Sequence, residues 1–219
     1  YNLSGDSNSP DSKLIDSFSV TKNTNGGEQK NGIENEKSSV AMTQTAQYNS
    51  DMQNADGGVM EIIDYNTVTG WAYAVNGVTG NLTAIPMKDR STSENIALLD
   101  GKNINIKELV EKNYEGFLYG DMTSVAVSPN GEKLALAIQA SEYSKAGCIA
   151  VFTCGADGTL TFEQAYEAGV QPDMVTFTPD STKILSADEG EPREGYGAGN
   201  TDPQGTVTAV SYTHLRAHE

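Results

Sequence analysis

The sequence has 219 residues, enough for one large domain or two small ones, and 37% of them are hydrophobic. Because 30 acidic residues outnumber 14 basic ones, the net charge is −16, which argues against nucleic acid and anionic membrane surfaces as partners. A membrane-spanning helix needs about 18 consecutive apolar residues, and the sequence has no such run, so we expect no membrane insertion.

The first segment, residues 1–38, is rich in Asn, Ser, Asp, Gly and Lys, and its longest apolar run is LIDSFSV. A segment of this composition buries too little apolar surface to offset the entropy lost on ordering. We therefore predict a linker or a disordered segment here.

From residue 39 onward, short strands alternate with polar turns, the pattern of β-hairpins. Two of the hairpins align without gaps at a spacing of fifty residues, so that Pro129 matches Pro179 and Lys133 matches Lys183. The three hairpins are VMEIIDYNTVTGWAYAVN (59–76), TSVAVSPNGEKLALAI (123–138) and MVTFTPDSTKILSA (174–187).

Each hairpin is followed by a strand that begins with glycine, at Gly80, Gly147 and Gly205. A further strand is predicted before two of the hairpins, at 39–48 and 159–169, whereas 104–112 is predicted to be helical. Four strands repeating every 40–50 residues are typical of a β-propeller blade, and a β-sandwich would not repeat the hairpin chemistry. We predict an all-β fold, a fragment of a β-propeller with about three four-stranded antiparallel blades over residues 39–210.

The segments NADGGVMEIIDYN, DMTSVAVSPNGEKLALAIQA and GVQPDMVTFTPDSTKILSADEGEPREGY resemble the choice-of-anchor I domain family. Members are also described as alkaline-phosphatase-like or as similar to the mesenchyme-specific cell-surface glycoprotein. The resemblance implies an extracellular β-propeller, similar to WD-repeat and YVTN propellers, in bacterial secreted or surface proteins. It also implies partner domains and an anchor, which we expect, with a signal peptide, outside this sequence.

The end of the chain, VSYTHLRAHE, resembles a translated sequencing adapter and departs from the strand pattern of GTVTAV. We therefore predict that residues 211–219 are a non-native tail. The two histidines of the sequence, His214 and His218, both lie in it. The alternative is a histidine-rich metal-binding tail.

Catalytic motifs are missing from the sequence. With the tail histidines set aside, no Ser–His–Asp or Cys–His arrangement can be formed, and there is no HExxH zinc motif or phosphate-binding P-loop. Cys148 and Cys154 lie on one predicted strand with their Cα atoms about 20 Å apart, too far for a disulfide. We expect both thiols to be unpaired.

Acidic residues are predicted to meet at one end of the blades. Because strands alternate in direction, the loop entering the first hairpin strand and the loop leaving the second lie on one face. Calcium binds six to eight oxygen ligands, and the predicted calcium ligands are Asp56, Asp121, Asp173, Asp188, Glu189 and Glu191. Two alternatives are that each Asp caps its own turn and that Arg193 neutralises the acidic residues.

Two functions fit these patterns. The first is a non-catalytic extracellular module for binding or scaffolding, stabilised by a cation such as Ca²⁺, whose partners are an extracellular ligand or other domains of the same full-length chain. The alternative is the propeller part of an alkaline-phosphatase-like or nucleotidase phosphoesterase.

Overall fold

The structure is a computed structural model that describes residues 44, 46–55, 57–87, 97–197 and 199–211. Its elements in chain order are β1 (Ala46–Tyr48), β2 (Met60–Asn66), β3 (Trp71–Asn76), β4 (Asn81–Pro86), β5 (Ala97–Leu99), β6 (Lys102–Asn105), α1 (Ile106–Asn113), β7 (Tyr119–Val127), β8 (Lys133–Ala140), β9 (Ala146–Cys154), β10 (Leu160–Val170), β11 (Pro172–Phe177), β12 (Lys183–Asp188) and β13 (Thr206–Ser211). No helix in this described part of the chain has the length and apolarity needed to cross a membrane.

Most strands form three antiparallel sheets, which confirms the all-β propeller fold. Blade 1 has the strand order β2-β3-β4-β6, blade 2 has β7-β8-β9-β10, and blade 3 has β11-β12-β13. The strands β1 and β5 form a separate parallel pair, with Ala46 opposite Ala97. The predicted end segment lies outside the described residues apart from Ser211, and so does the predicted N-terminal segment.

The outermost strands belong to different blades from those that the sequence suggests. We expected the strand at 159–169 to precede the hairpin of blade 3, but β10 pairs with β9 and completes blade 2. Similarly, β1 pairs with β5 and not with β2. The pairing of β10 has a local reason, because the amide of Gly155 donates to the carbonyl of Thr159 (2.8 Å) and closes a short hairpin between β9 and β10. Short connections lose little entropy on closure.

Blade 2 lies at the centre of the described core because both of its faces are apolar. One face packs with blade 1 and with the helix α1, whose residues Ile106 and Val110 are buried between them. The other face packs on blade 3 through a second cluster that includes Val151 and Ile184. Side chains alternate between the two faces of a strand, so a strand buried on both faces is apolar throughout, as in LALAI of β8.

The helix predicted at 104–112 is confirmed as α1. The Oδ1 atom of Asn105 accepts the amide hydrogen of Glu108 (2.9 Å) and caps its first turn. The preceding residues form β6 and pair with β4, so the helix follows the outer strand of blade 1 and does not replace a strand.

The fifty-residue repeat is present in the hydrogen bonds of the hairpin turns. In blade 2 the amide of Lys133 donates to Ser128 Oγ (2.9 Å), and in blade 3 the amide of Lys183 donates to Thr178 Oγ1 (3.0 Å). The left-handed position of each turn is Gly131 (φ 72°) in blade 2 and Ser181 (φ 59°) in blade 3. The two turns have the same geometry although only one of them contains a glycine.

Both cysteines are unpaired, as predicted. Cys148 is fully buried in the core between blades 1 and 2, and burial raises the pKa of its thiol to about 12. Burial likewise raises the pKa of the partly exposed Cys154 to about 11. Both residues therefore serve as small apolar side chains at neutral pH.

Candidate functional site

One end of the blades gathers the starts of the inner strands and the ends of their partners. Asp121 near the start of β7 lies opposite Gln139 near the end of β8. Pro172 at the start of β11 lies opposite Asp188 at the end of β12. The loops that the sequence pattern assigns to one face therefore do lie at one end of blades 2 and 3.

The side chain of Asp188 is directed toward neighbouring strands and does not face the solvent at this end of the blades. Its carboxylate is buried and accepts four hydrogen bonds, which satisfy both oxygens. The donors are Ser186 Oγ to Oδ1 (2.6 Å), and the Gly169 amide (3.1 Å), Thr206 Oγ1 (2.9 Å) and Thr208 Oγ1 (2.7 Å) to Oδ2. Gly169 lies on β10 and the threonines on β13, so this carboxylate joins the outer strand of blade 2 to blade 3.

The acidic rim consists of the four other described acids, Asp121, Asp173, Glu189 and Glu191, all of which are solvent-exposed. Arg193 acts electrostatically on Asp121 and Glu189. Its Nη2 donates to Gln139 Oε1 (3.3 Å) and makes a longer contact with Gln171 Oε1 (3.5 Å). Partial burial is the main cause that raises the pKa of Asp121, and Arg193 opposes this shift. Partial burial, then Asp173 and Glu191, raise the pKa of Glu189.

Gln171 holds the rim loops together, and the sequence analysis missed it. It is buried and adopts a left-handed backbone (φ 55°), which is rare for residues other than glycine. Its Nε2 donates to the carbonyls of Tyr143 (3.0 Å) and Glu191 (2.8 Å), and its own carbonyl accepts the amide of Glu189 (2.9 Å). Residues held in sparsely populated conformations concentrate at functional sites. The fifty-residue alignment, which matches Gln171 to Asp121, is the one sequence signal for this position.

The structure provides no ready-made metal centre on the rim. Within the ranges described above, no three His, Cys, Asp or Glu side chains are grouped so that they could hold a metal ion. Asp56 lies outside the described residues, and both oxygens of Asp188 are already bonded. The arrangement of the remaining acids as calcium ligands stays a prediction.

A cleft of about 450 Å³ opens beside the rim, at the same end of blade 2. We refer to it as the β8–β9 cleft, and it is lined by residues 114–118, 140–142, 145–147 and Glu167. The rings of Tyr114 and Phe117 stack within it, with 5.6 Å between their centroids. Sequence reasoning did not find this cleft, because its walls come from segments that lie far apart in the sequence.

The three sheets define this chain as part of a β-propeller. A match to the family model of the choice-of-anchor I domain covers residues 61–218, and the chain belongs to that family. The match extends into the segment 211–219, whose non-native origin stays a prediction.

The chain is similar to parts of several solved structures. A structure from Bacteroides fragilis ascribed to a 6-phosphogluconolactonase is 18% identical, with a TM-score of 0.46 over 69% of this chain and 39% of its own. The periplasmic gluconolactonase of Pseudomonas aeruginosa is 14% identical, with a TM-score of 0.43 over 69% and 42%. The WD40 repeats of RRP9 are 14% identical, with a TM-score of 0.41 over 63% and 37%. The chain thus spans less than half the length of these proteins. No curated protein sequence matches it.

Replacing Arg193 by glutamine is expected to raise the pKa values of Asp121 and Glu189 further, since the guanidinium lowers both. An acid whose pKa is higher in the folded state than in the unfolded state stabilises the fold fully only at a pH below its unfolded-state pKa, which is about 3.9 for Asp and 4.3 for Glu. This contribution disappears as the pH rises through the pKa of the folded state. The Arg193→Gln variant should therefore lose stability relative to the wild type as the pH rises from this region.

The measurement is a carboxyl ¹³C NMR titration of the wild type and the Arg193→Gln variant. Lys112→Gln, which removes a positive charge from α1, is the matched control and should leave both pKa values unchanged. Identical titrations of Asp121 and Glu189 in the Arg193→Gln variant and the wild type would show that Arg193 does not act on the rim.

Proposed function

We propose that this chain is a non-catalytic extracellular module that binds or scaffolds other molecules within a bacterial secreted or surface protein. Membership of the choice-of-anchor I family supports a location at the cell surface or outside the cell. The partners are an extracellular ligand or other domains of the same full-length chain.

The observation that carries the proposal is the way in which Gln171 fixes the loops of the rim. A buried glutamine in a left-handed conformation joins the β8–β9 loop to the segment that contains Glu191 and Arg193. Loops that present charged groups on a rigid scaffold are where binding residues concentrate. Loops fixed in advance also lose less entropy when a ligand binds.

The charge of the rim favours a cationic partner, for which we propose Ca²⁺. The rim carries four carboxylates and one guanidinium, and the pKa of Glu189 is raised in part by its acidic neighbours. A cation would relieve this repulsion. Because calcium requires six to eight oxygens, the carboxylates would need to move together and share the ion with carbonyl or water oxygens. Asp56 is a further candidate ligand from the sequence.

Calcium is expected to raise the melting temperature of the protein relative to EDTA. A ligand that binds only the folded state stabilises it by about 2.7 kcal/mol at a hundredfold excess over its Kd. The experiment compares the wild type with Asp121→Asn and Glu191→Gln, which should lose most of the calcium shift. Asp202→Asn, an exposed acid outside the rim, is the matched control and should retain it. Equal melting temperatures with calcium and with EDTA would exclude the calcium site and leave these acids as turn residues.

A further inference from the structure

We infer that the β8–β9 cleft is a binding site for an alkylammonium group, the chemistry shared by a lysine side chain and a free alkyl amine. This site is separate from the acidic rim and does not depend on calcium binding there. The inference rests on the volume, fixed walls, aromatic floor and charge of the cleft.

The cleft has the size and rigidity of a ligand site. Its volume of about 450 Å³ falls within the range of small-molecule pockets. The amide of Ser141 donates to the carbonyl of Leu118 (2.9 Å) and joins two of its walls. The amide of Tyr119 donates to Glu111 Oε1 (3.0 Å) and anchors the wall formed by residues 114–118 to α1. These bonds hold the walls in place without a ligand.

Aromatic and apolar side chains line the cleft, and we refer to the stacked rings of Tyr114 and Phe117 as its aromatic floor. Tyr114 and Phe117 pack against the core on one side, and each remains partly exposed. Leu118 also lines the cleft, is 66% exposed, and adds apolar surface to it. Aromatic faces attract ammonium groups, and they also pack well on the methylene groups next to them.

The charge of the cleft is negative. Its lining contains three acidic residues, Glu115, Glu142 and Glu167, and one basic residue, Lys145. The Nζ atom of Lys145 lies 3.9 Å from Glu142 Oε1, and both side chains are more than 60% exposed, so this pair neutralises little of the charge.

Tyr114 links the aromatic floor to the acidic wall. Its pKa is raised chiefly by burial and then by Cys148 and the Glu167 carboxylate, so its hydroxyl stays protonated beside Glu167. Tyr114, Phe117 and Glu167 therefore line the same space. An ammonium group on an alkyl chain matches all three, whereas an anion would be repelled and a neutral alkyl chain would leave the carboxylates unused.

The test uses isothermal titration calorimetry with two amine probes and a neutral control. The probes are N-acetyl-lysine methylamide, which represents a lysine of a protein partner, and 1,5-diaminopentane, which represents a free amine. N-acetyl-norleucine methylamide has the same backbone and an alkyl side chain without the ammonium, and it should bind at least fivefold more weakly than the lysine probe. A preference for the lysine probe indicates a protein partner, and a preference for the diamine indicates a small amine.

Two variants locate the binding. Glu167→Gln should lower the affinity for the tighter-binding amine probe by about fivefold, which is the upper range for an exposed charge pair. Phe117→Leu keeps an apolar side chain but removes the ring, and should weaken binding of the same probe to a similar extent. Glu194→Gln, an exposed acid outside the cleft, is the matched control and should bind like the wild type. The inference is overturned if neither amine binds more tightly than the norleucine probe, or if Glu167→Gln binds like Glu194→Gln.

Discussion

The Asp188→Ala variant is expected to have a free energy of unfolding about 3 kcal/mol below that of the wild type. The substitution removes the acceptor of four hydrogen bonds, from the hydroxyls of Ser186, Thr206 and Thr208 and the amide of Gly169. A buried donor left unpaired costs about 1–3 kcal/mol. Here three of the four bonds are only partly buried, the Gly169 amide also donates to Thr208 Oγ1 (3.1 Å), and hydroxyls can rotate to new partners, so each donor loses only part of this amount. The measurement is equilibrium unfolding in urea.

The control for this experiment is Asp173→Ala, which removes an exposed aspartate from the rim. Its free energy of unfolding should change by less than about 0.5 kcal/mol, as expected for a surface substitution. Equal unfolding midpoints for Asp188→Ala and Asp173→Ala would show that the Asp188 carboxylate does not join blades 2 and 3.

The Gly147→Ala variant is expected to be less stable than the wild type by about 2–3 kcal/mol. Gly147 lies where blade 2 meets the start of blade 3, and an added Cβ would come within 2.4 Å of Pro172 Cδ and 2.6 Å of the carbonyl oxygen of Ile138. Because one of these atoms is backbone and the other belongs to a proline ring, the clash can be relieved only by separating the strands. Overpacking of this kind typically costs 1–3 kcal/mol.

Gly57→Ala is the matched control for Gly147→Ala. An added Cβ at Gly57 would have its nearest neighbour, Asn54 Nδ2, at 3.4 Å, which is an ordinary contact. This variant should unfold within about 0.5 kcal/mol of the wild type. A stability of Gly147→Ala equal to that of Gly57→Ala would contradict the close approach of blades 2 and 3 at Gly147.

The hairpin repeat could be predicted from the sequence because its turns depend on local contacts. The bonds from Lys133 to Ser128 and from Lys183 to Thr178 connect residues five positions apart. The same short motif therefore recurs at a spacing of fifty residues and can be read without knowing the fold. The assignment of β10 to blade 2 could not be read in this way, since a strand between two hairpins can pair with either neighbour.

The inward direction of Asp188 has a signal in the sequence that was not used. Strand side chains alternate between faces, and Asp188 therefore shares a face with the buried Ser186 and Ile184 on β12. Its placement in a loop, and hence on the rim, followed from extending the loop one residue too far. The left-handed backbone of Gln171 has no such signal, because glutamine rarely adopts it and the surrounding contacts impose it.

The most direct test of the proposed function is the hydrolysis of p-nitrophenyl phosphate by the purified chain, with divalent metals and with EDTA. If the chain is a non-catalytic binding module, its rate should be no greater than the background. The background is measured on the Asp188→Ala variant, purified in the same way and assayed after thermal unfolding. Turnover that co-purifies with the folded wild type, disappears with EDTA and returns with added metal would contradict the binding-module function and favour the phosphoesterase alternative.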